Sequence, residues 1–359
     1  MESTRRVKRK AASSLAGFTL VELLVVITII GILAALITVA AAGALKRAHQ
    51  AQIKTELNQL DMAVQTARDT YGAYPPNCEN LSSWTNIVQT QVVTDLKRQF
   101  KQAFPRSRES DDLLKAILGM TVSDTASYPK VLQNGMTAGE GMVFWLSGFS
   151  SDPKYPISGD GGPSYQIPAI GNSTNKTLET LDRKWLFPFA TTRLLPRDKD
   201  TNYFDETDKR FIEYTVTING VQQFRRINFW QYVPAKSEQP YLYFDVSRHV
   251  PSELDPPASA TATIYAIKQL GSNVANPAAP TLGEVHYANE GKFQILHPGI
   301  DDDWGTYAAV APKLFVDFTL NPNTAAPTTL LYYPTGPWTG ELADTIVNFS
   351  EATLANSQK

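Results

Sequence analysis

Glu22 stands at the head of an apolar run that continues from Leu23 to Leu45. As a helix that run is about 34 Å long, enough for a hydrocarbon core of roughly 30 Å. A carboxylate at the edge of such a segment costs energy, and ionisable groups there are functional suspects that usually need a partner. The preceding residues suggest that partner. Met1 to Gly17 carries Arg5, Arg6, Lys8, Arg9 and Lys10 against one acid, Glu2, then turns small and neutral through Ser13, Ser14, Ala16 and Gly17. A basic head before an apolar run reads as a targeting segment retained on the cytoplasmic side. An ordinary signal peptide is cut after its apolar stretch; here the small residues come first. A cut after Gly17 frees the α-amine of Phe18, a cation at the membrane depth of Glu22 on a neighbouring helix. Such a pair lowers the burial cost only between molecules, which implies assembly.

The strongest metal signal is Pro298-Gly299-Ile300-Asp301-Asp302-Asp303-Trp304-Gly305. Three consecutive carboxylates repel one another unless solvated or bridged by a cation, and the glycines let backbone carbonyls turn inward. Hard oxygen ligands in a flexible loop suit Ca²⁺, which takes six to eight of them. Asp344, in Asp344-Thr345-Ile346-Val347-Asn348-Phe349, can supply another carboxylate. The segment therefore reads either as a calcium site of Asp301, Asp302, Asp303 and Asp344 or as a solvated acidic turn. A second acidic cluster, Asp198, Asp200, Asn202, Asp205 and Glu206, opens like a calcium loop, but Tyr203 and Lys209 stand where an EF-hand needs Gly and Glu. Catalysis finds little support. His49, His249, His286 and His297 are widely spread and form no zinc spacing. No Gly-x-Ser-x-Gly elbow, P-loop or nucleotide fingerprint is present. The expectation is a protein that is not an enzyme, with Trp84, Trp145, Trp185, Trp230, Trp304 and Trp338 as core or loop anchors.

The elements that position these groups begin with one long helix. Beyond Lys46 and Arg47, the residues Ile53, Leu57, Leu60, Val64, Ala67 and Tyr71 recur at alternating spacings of four and three, an apolar stripe with Lys54, Glu56, Gln59, Gln65 and Arg68 outside it. That stripe is expected to pack on the chain's own globular part, on neighbouring subunits, or on each along different stretches. Gly72 is a plausible C-cap and Pro75-Pro76 forbids continuation, so helix one is predicted over about 18–71. Further helices are predicted over about 83–104 and 111–118, with Asp111 and Asp112 suiting an N-terminus. The Gly-, Pro- and Ser-rich stretch 147–175, with Asp160-Gly161-Gly162-Pro163, reads as a surface loop rather than a phosphate cradle.

The second half is strand-rich. Phe211 to Ile218 and Val221 to Tyr232 flank Asn219-Gly220, the strongest hairpin signal in the chain. Tyr241 to Asp245, Lys292 to Leu296, Leu314 to Leu320 and Thr328 to Tyr333 read as short strands. The pattern predicts an α+β fold, a long N-terminal transmembrane and amphipathic helix packed on a C-terminal antiparallel sheet, with a large inserted helical and loop region. Its expected segments are a leader at 1–17, a transmembrane half-helix at 18–45, an amphipathic half at 46–71, the insertion at 72–207 and a β-rich domain at 208–359.

Composition sets limits. The chain has 359 residues and a net charge of −2; removing the leader's five basic and one acidic residues leaves −6. No basic excess remains, so nucleic acid is an unfavoured partner. Cys78 is the single cysteine, so no intrachain disulfide forms and stability must come from core burial, with metal as a possible supplement.

The string Gly17-Phe18-Thr19-Leu20-Val21-Glu22, followed by Leu23 to Ile27 and Ile30 to Leu36, resembles the class III signal of type IV pilins and type II secretion pseudopilins. The likeness covers about 30 residues. It implies that a membrane prepilin peptidase cuts between Gly17 and Phe18 and methylates the new amine, and that Glu22 pairs with a neighbour's N-terminus during assembly. Tyr71-Gly72-Ala73-Tyr74-Pro75 is similar to the helix exit of the major pseudopilins, and the segment from Gly299 to Gly305 together with Asp344 to their C-terminal calcium loop, although the family loop is shorter. The resemblance implies a bacterial inner-membrane protein, N-terminus cytoplasmic and C-terminal domain periplasmic. Its partners would be prepilin peptidase, other pseudopilin subunits and the inner-membrane assembly platform of the secretion system. Two alternatives stay open: a type IV pilin of an extracellular fibre, which the single cysteine disfavours, and a binding module on a pilin anchor, with the inserted region as recogniser.

Overall fold

A computed structural model describes residues 18–78, 86–171, 185–196, 209–248, 266–272, 274, 281–303, 332–336, 338 and 340–357. Helix α1 runs unbroken over Leu20–Tyr71. It ends where the Gly72 N–H donates to the Arg68 carbonyl (2.7 Å) and Gly72 turns to φ +84°, a conformation glycine adopts without Cβ strain. The chain separates into two compact units, Met1–His49 and Gln50–Lys359. In the first, every described residue up to Ala48 is exposed, and the apolar part of α1 is long enough to cross a membrane.

In the second unit, α1 buries Ile53, Leu57, Leu60, Ala63, Val64, Ala67 and Tyr71, the stripe predicted from spacing with Ala63 added. Lys54 and Glu56, expected outside the stripe, instead reach across its edges. Lys54 Nζ donates to the Val347 and Ser350 carbonyls (2.8 and 2.6 Å). Glu56 accepts from Arg193 (2.5 Å) and from the Tyr232 and Tyr241 hydroxyls (3.0 and 2.9 Å). Long side chains beside an apolar stripe cover it with their stems and find polar partners at its rim.

Three shorter helices follow: α2 (Asn86–Ala103), α3 (Asp111–Ile117) and α4 (Ala138–Leu146). Ser110 caps α3, accepting from the Leu113 N–H (3.0 Å), with Asp111 and Asp112 in the first turn as expected. Sequence reasoning missed α4. It is buried on nearly every side and so lacks the polar face that marks a helix; only Thr137 and Glu140, which form a capping box, signal its start. Tyr71, Phe104, Trp145 and Phe149 meet edge-on or tilted with centroids 4.9 to 5.9 Å apart, joining α1, the end of α2 and α4 in one core.

The strands are β1 (Ser164–Ile167), β2 (Leu194–Leu195), β3 (Phe211–Ile218), β4 (Val221–Asn228), β5 (Gln231–Tyr232), β6 (Leu242–Asp245), β7 (Lys268–Leu270), β8 (Val285–Tyr287), β9 (Phe293–His297) and β10 (Ile346–Val347). They pair antiparallel in the orders β1-β4-β3 and β10-β9-β6, with two-stranded pairs β2-β5 and β7-β8. Asn219 and Gly220 take φ +52° and +81°, the two positive values of the predicted two-residue hairpin turn. The expected strand Val221 to Tyr232 is interrupted at Phe229-Trp230, which are buried. Leu314 to Leu320 and most of Thr328 to Tyr333 lie outside the described residues.

One sequence expectation needs correction. The stretch 147–175 is not a plain surface loop: Ser147 to Ser150 and Pro156 to Gly159 are buried, and β1 pairs with β4. The half-buried Glu109 carboxylate organises it, accepting from the Ile157 and Ser158 N–H groups and the Ser158 hydroxyl (2.8, 2.7 and 2.7 Å). The expected segments 72–207 and 208–359 contribute to the same core. Leu113, Trp145, Ile157, Ile212, Tyr214 and Phe293 belong to one buried cluster with the α1 stripe. The result is an α+β, pilin-like arrangement of one long apolar helix followed by antiparallel sheets and smaller helices.

Candidate functional sites

The first site is the head of α1. Gly17 lies outside the described residues, and Phe18 is exposed and precedes the helix. Glu22 Oε2 accepts from the Thr19 N–H (2.9 Å) and the Thr19 hydroxyl (2.8 Å), and the Glu22 N–H donates to Thr19 Oγ1 (3.2 Å). This is a reciprocal capping box, which satisfies amides the helix leaves unpaired and sets a negative charge at its positive end. Glu22 thus has a partner inside its own chain, which the sequence argument did not foresee. Its signal was the spacing Thr-x-x-Glu. The second oxygen, Oε1, accepts no hydrogen bond among the described residues and stays available to a cation.

The second site is the acidic loop after β9. Asp301 and Asp344 come together. Asp344 Oδ2 accepts from the Ile300 N–H (2.9 Å), while its Oδ1 is buried without a hydrogen-bond partner. Asp301 keeps an exposed face, but partial desolvation and the neighbouring Asp344 carboxylate push it up to about 6, against an opposing hydrogen bond from the Asp303 N–H (3.3 Å). Gly299 makes the approach possible. A Cβ there, at φ +109°, would lie 2.5 Å from Asp344 Cγ and from the Asp344 carbonyl oxygen.

The other two predicted ligands stand apart from this pair. Asp302 accepts from the Ser237 hydroxyl and from the Glu238 and Gln239 N–H groups, tying the loop to residues 237–239. Its oxygens are already engaged, so it is a poor fourth ligand. Asp303 is exposed. Among the described residues no group of three or more His, Cys, Asp or Glu side chains converges on a metal-sized gap. Two carboxylates with a buried orphan oxygen do suit a hard cation, which would draw its other oxygens from carbonyls and water. The second acidic cluster, Asp198 to Glu206, and Trp304 lie outside the described residues.

Sequence reasoning set His297 aside as a zinc ligand and gave it no other role. It is fully buried; Nδ1 accepts from the Gly299 N–H (3.1 Å), and Nε2 lies 3.0 Å from Ser237 Oγ and 3.2 Å from the Gln239 carbonyl. The accepting Nδ1 places the ring proton on Nε2. Asp302 meets the serine rather than Nδ1, so Ser237, His297 and Asp302 lack the order in which a histidine, oriented by an acid, deprotonates a serine. The trio fastens two loops.

Compared with known proteins, residues 14–38 match the prokaryotic N-terminal methylation motif. The match brackets Gly17, Phe18 and Glu22, and with the apolar helix behind it defines a pilin-like substrate of prepilin peptidase, consistent with anchoring in the inner membrane. No curated protein and no solved structure matches the chain.

Proposed function

We propose that this chain is a structural subunit of a type II secretion pseudopilus. Prepilin peptidase cuts between Gly17 and Phe18 and methylates the new amine. The subunit waits in the inner membrane with its body on the periplasmic side, and the assembly platform then draws it into a fibre that moves folded proteins outward. The observation that carries this reading is the methylation motif over 14–38 set directly on an uninterrupted apolar helix. The proposed role is structural rather than enzymatic. A type IV pilin is the second reading; the buried, solitary Cys78 argues against the disulfide-closed tip of many such pilins. The inserted region sharing one core with α1 and the sheets gives no support to a separate recognition lobe.

Calcium belongs to the same proposal. Asp301 and Asp344 would hold the ion, which would neutralise two carboxylates that otherwise repel, and Asp302 and Asp303 would lie outside its shell or meet it through water.

Deletion of the gene separates the fibre readings. Loss of exported proteins from the medium with surface fibres intact supports the pseudopilus, and loss of surface fibres with export intact supports the pilin. Processing is read directly: mass spectrometry of the membrane-bound protein should show Phe18 as a methylated N-terminus. Intact Met1 in assembled fibres would overturn the entire reading.

A further inference from the structure

Charge is spread unevenly over the body. Helix α2 carries Lys101 in its last turn, the following turn carries Arg106 and Arg108, and the Arg108 N–H donates to the Lys154 carbonyl (2.7 Å), which brings Lys154 alongside. All four side chains are exposed, and none has an ion-pair partner among the described residues. Their neighbours Lys97 and Arg98 are already committed to Asp111 (2.5 Å) and Asp95 (2.6 Å). Glu109, the acid in the same turn, is turned inward to Ile157 and Ser158. Phe100 is buried, so the patch presents charge without an aromatic platform from α2 for stacking a base.

An acidic patch stands at a different level. Glu238, Asp301 and Asp303 are exposed on two loops joined through Asp302, with the exposed Lys236 two residues before Glu238 in sequence. Contacts to α1 fix both levels. The basic patch sits by the helix exit, where Gln102 Nε2 donates to the Gly72 carbonyl (3.1 Å) and Gln99 Nε2 to that of Ala73 (3.1 Å). On the acidic side, His297 packs on Tyr241 with ring centroids 5.3 Å apart, and the Tyr241 hydroxyl donates to Glu56 Oε2 (2.9 Å) and the Ile53 carbonyl (3.4 Å). From Ile53 to Gly72 the helix rises about 28 Å. That exceeds the screening length of about 8 Å at physiological salt, so the patches do not neutralise each other within one copy.

We infer that these patches form a head-to-tail contact between copies of this chain, the basic end of one body meeting the acidic end of the next. The inference rests on the reading that the chain polymerises. A contact between two different patches is heterologous and repeats into an open filament, whereas a two-fold pairing through either patch sets like charges face to face. Displacement of one copy along α1 brings opposite signs together. The charges therefore fix the polarity of stacking, independently of the helix core.

The test uses the full-length chain in cells that assemble it, with sheared fibre yield as readout. Reversal of the basic patch (Lys101→Glu, Arg106→Glu, Arg108→Glu) should lower the yield about tenfold or more, as should reversal of the acidic one (Glu238→Lys, Asp303→Lys). The chain carrying both reversals should recover to within about threefold of wild type, since complementarity is restored. Wild-type yield from either single reversal overturns the inference and leaves polymerisation standing, as does a combined variant no better than the singles. Absence of fibres from the wild-type chain removes polymerisation and this contact together. A second measurement avoids charge reversal. Arg106→Cys with Glu238→Cys in one chain, treated in assembled fibres with a short bis-maleimide, should give a ladder of covalent multimers. Monomer alone from intact fibres overturns the contact.

Discussion

Glu22 uses one carboxylate oxygen on Thr19 and keeps the other, and this division separates anchoring from assembly. The capping box makes the acid tolerable in a solitary subunit, so its place at the head of an apolar helix is not by itself proof of a neighbour. The free oxygen is what a neighbour's amine can approach. Glu22→Leu should insert into membranes at least as well as wild type but stay out of fibres, and normal fibre yield from that variant would show the carboxylate to be dispensable. Glu22→Gln keeps a cap acceptor without the charge and should assemble as poorly as Glu22→Leu. At the other site, Asp301 is raised from an ordinary 3.8 to about 6 by partial desolvation and by Asp344. A raised acid contributes stability that is complete below its unfolded value and is lost as pH rises through its folded value. In chelator, the melting-temperature advantage of wild type over Asp301→Asn should therefore shrink between pH 5 and pH 7. Calcium needs the ionised pair, so its stabilising effect should grow across the same interval. Equal calcium shifts at both pH values would remove Asp301 from the site.

At the scale of elements, the contact of α1 with the body is an apolar stripe bordered by polar clasps. Leu57 is fully buried at its centre, and Leu57→Ala should cost about 2–5 kcal/mol in denaturant unfolding through lost transfer energy and a cavity. The loop after β9 depends on Gly299 as closely: Gly299→Ala forces a Cβ into Asp344 at a left-handed φ and should cost about 2 kcal/mol or more, while abolishing any calcium shift. A melting curve unchanged by Gly299→Ala would mean that the loop and Asp344 are not held together. Helix α1 was legible because its stripe repeats at four and three over five turns, and the β3-β4 hairpin because Asn219-Gly220 tolerates the required φ. Helix α4 was illegible because periodicity needs a polar face, and burial on nearly all sides removes it. The stretch 147–175 was misread for a related reason: Gly, Pro and Ser report turns, but say nothing of whether a distant carboxylate such as Glu109 folds those turns inward. Asp302 looked like a ligand from its neighbours in sequence, whereas its true partners lie more than sixty residues upstream at Ser237 to Gln239.

For the whole molecule, the decisive feature is that the expected insertion and the expected β domain share one core. Ile212 and Tyr214 from β3 are buried with Leu113 from α3 and Trp145 from α4, against Leu57 and Leu60 of α1. Buried charge crosses the same expected boundary: Arg210 reaches Glu140 and the Gln133 and Gly135 carbonyls (both 2.8 Å). Parts that share apolar surface and buried ion pairs unfold together, because separating them exposes both faces and strands a charge. A fragment beginning near Lys46, which contains the compact unit Gln50–Lys359, should therefore melt in a single transition seen alike by far-UV and near-UV signals. Residues 72–207 expressed alone should show no cooperative transition. Arg210→Met, which strands the buried Glu140 carboxylate at one of its clasps, should lower the stability of the entire fragment by about 3 kcal/mol instead of releasing one part of it. Two separate transitions, with only one shifted by Arg210→Met, would mean that the inserted region folds as its own lobe, and the recognition-module reading would then regain its footing.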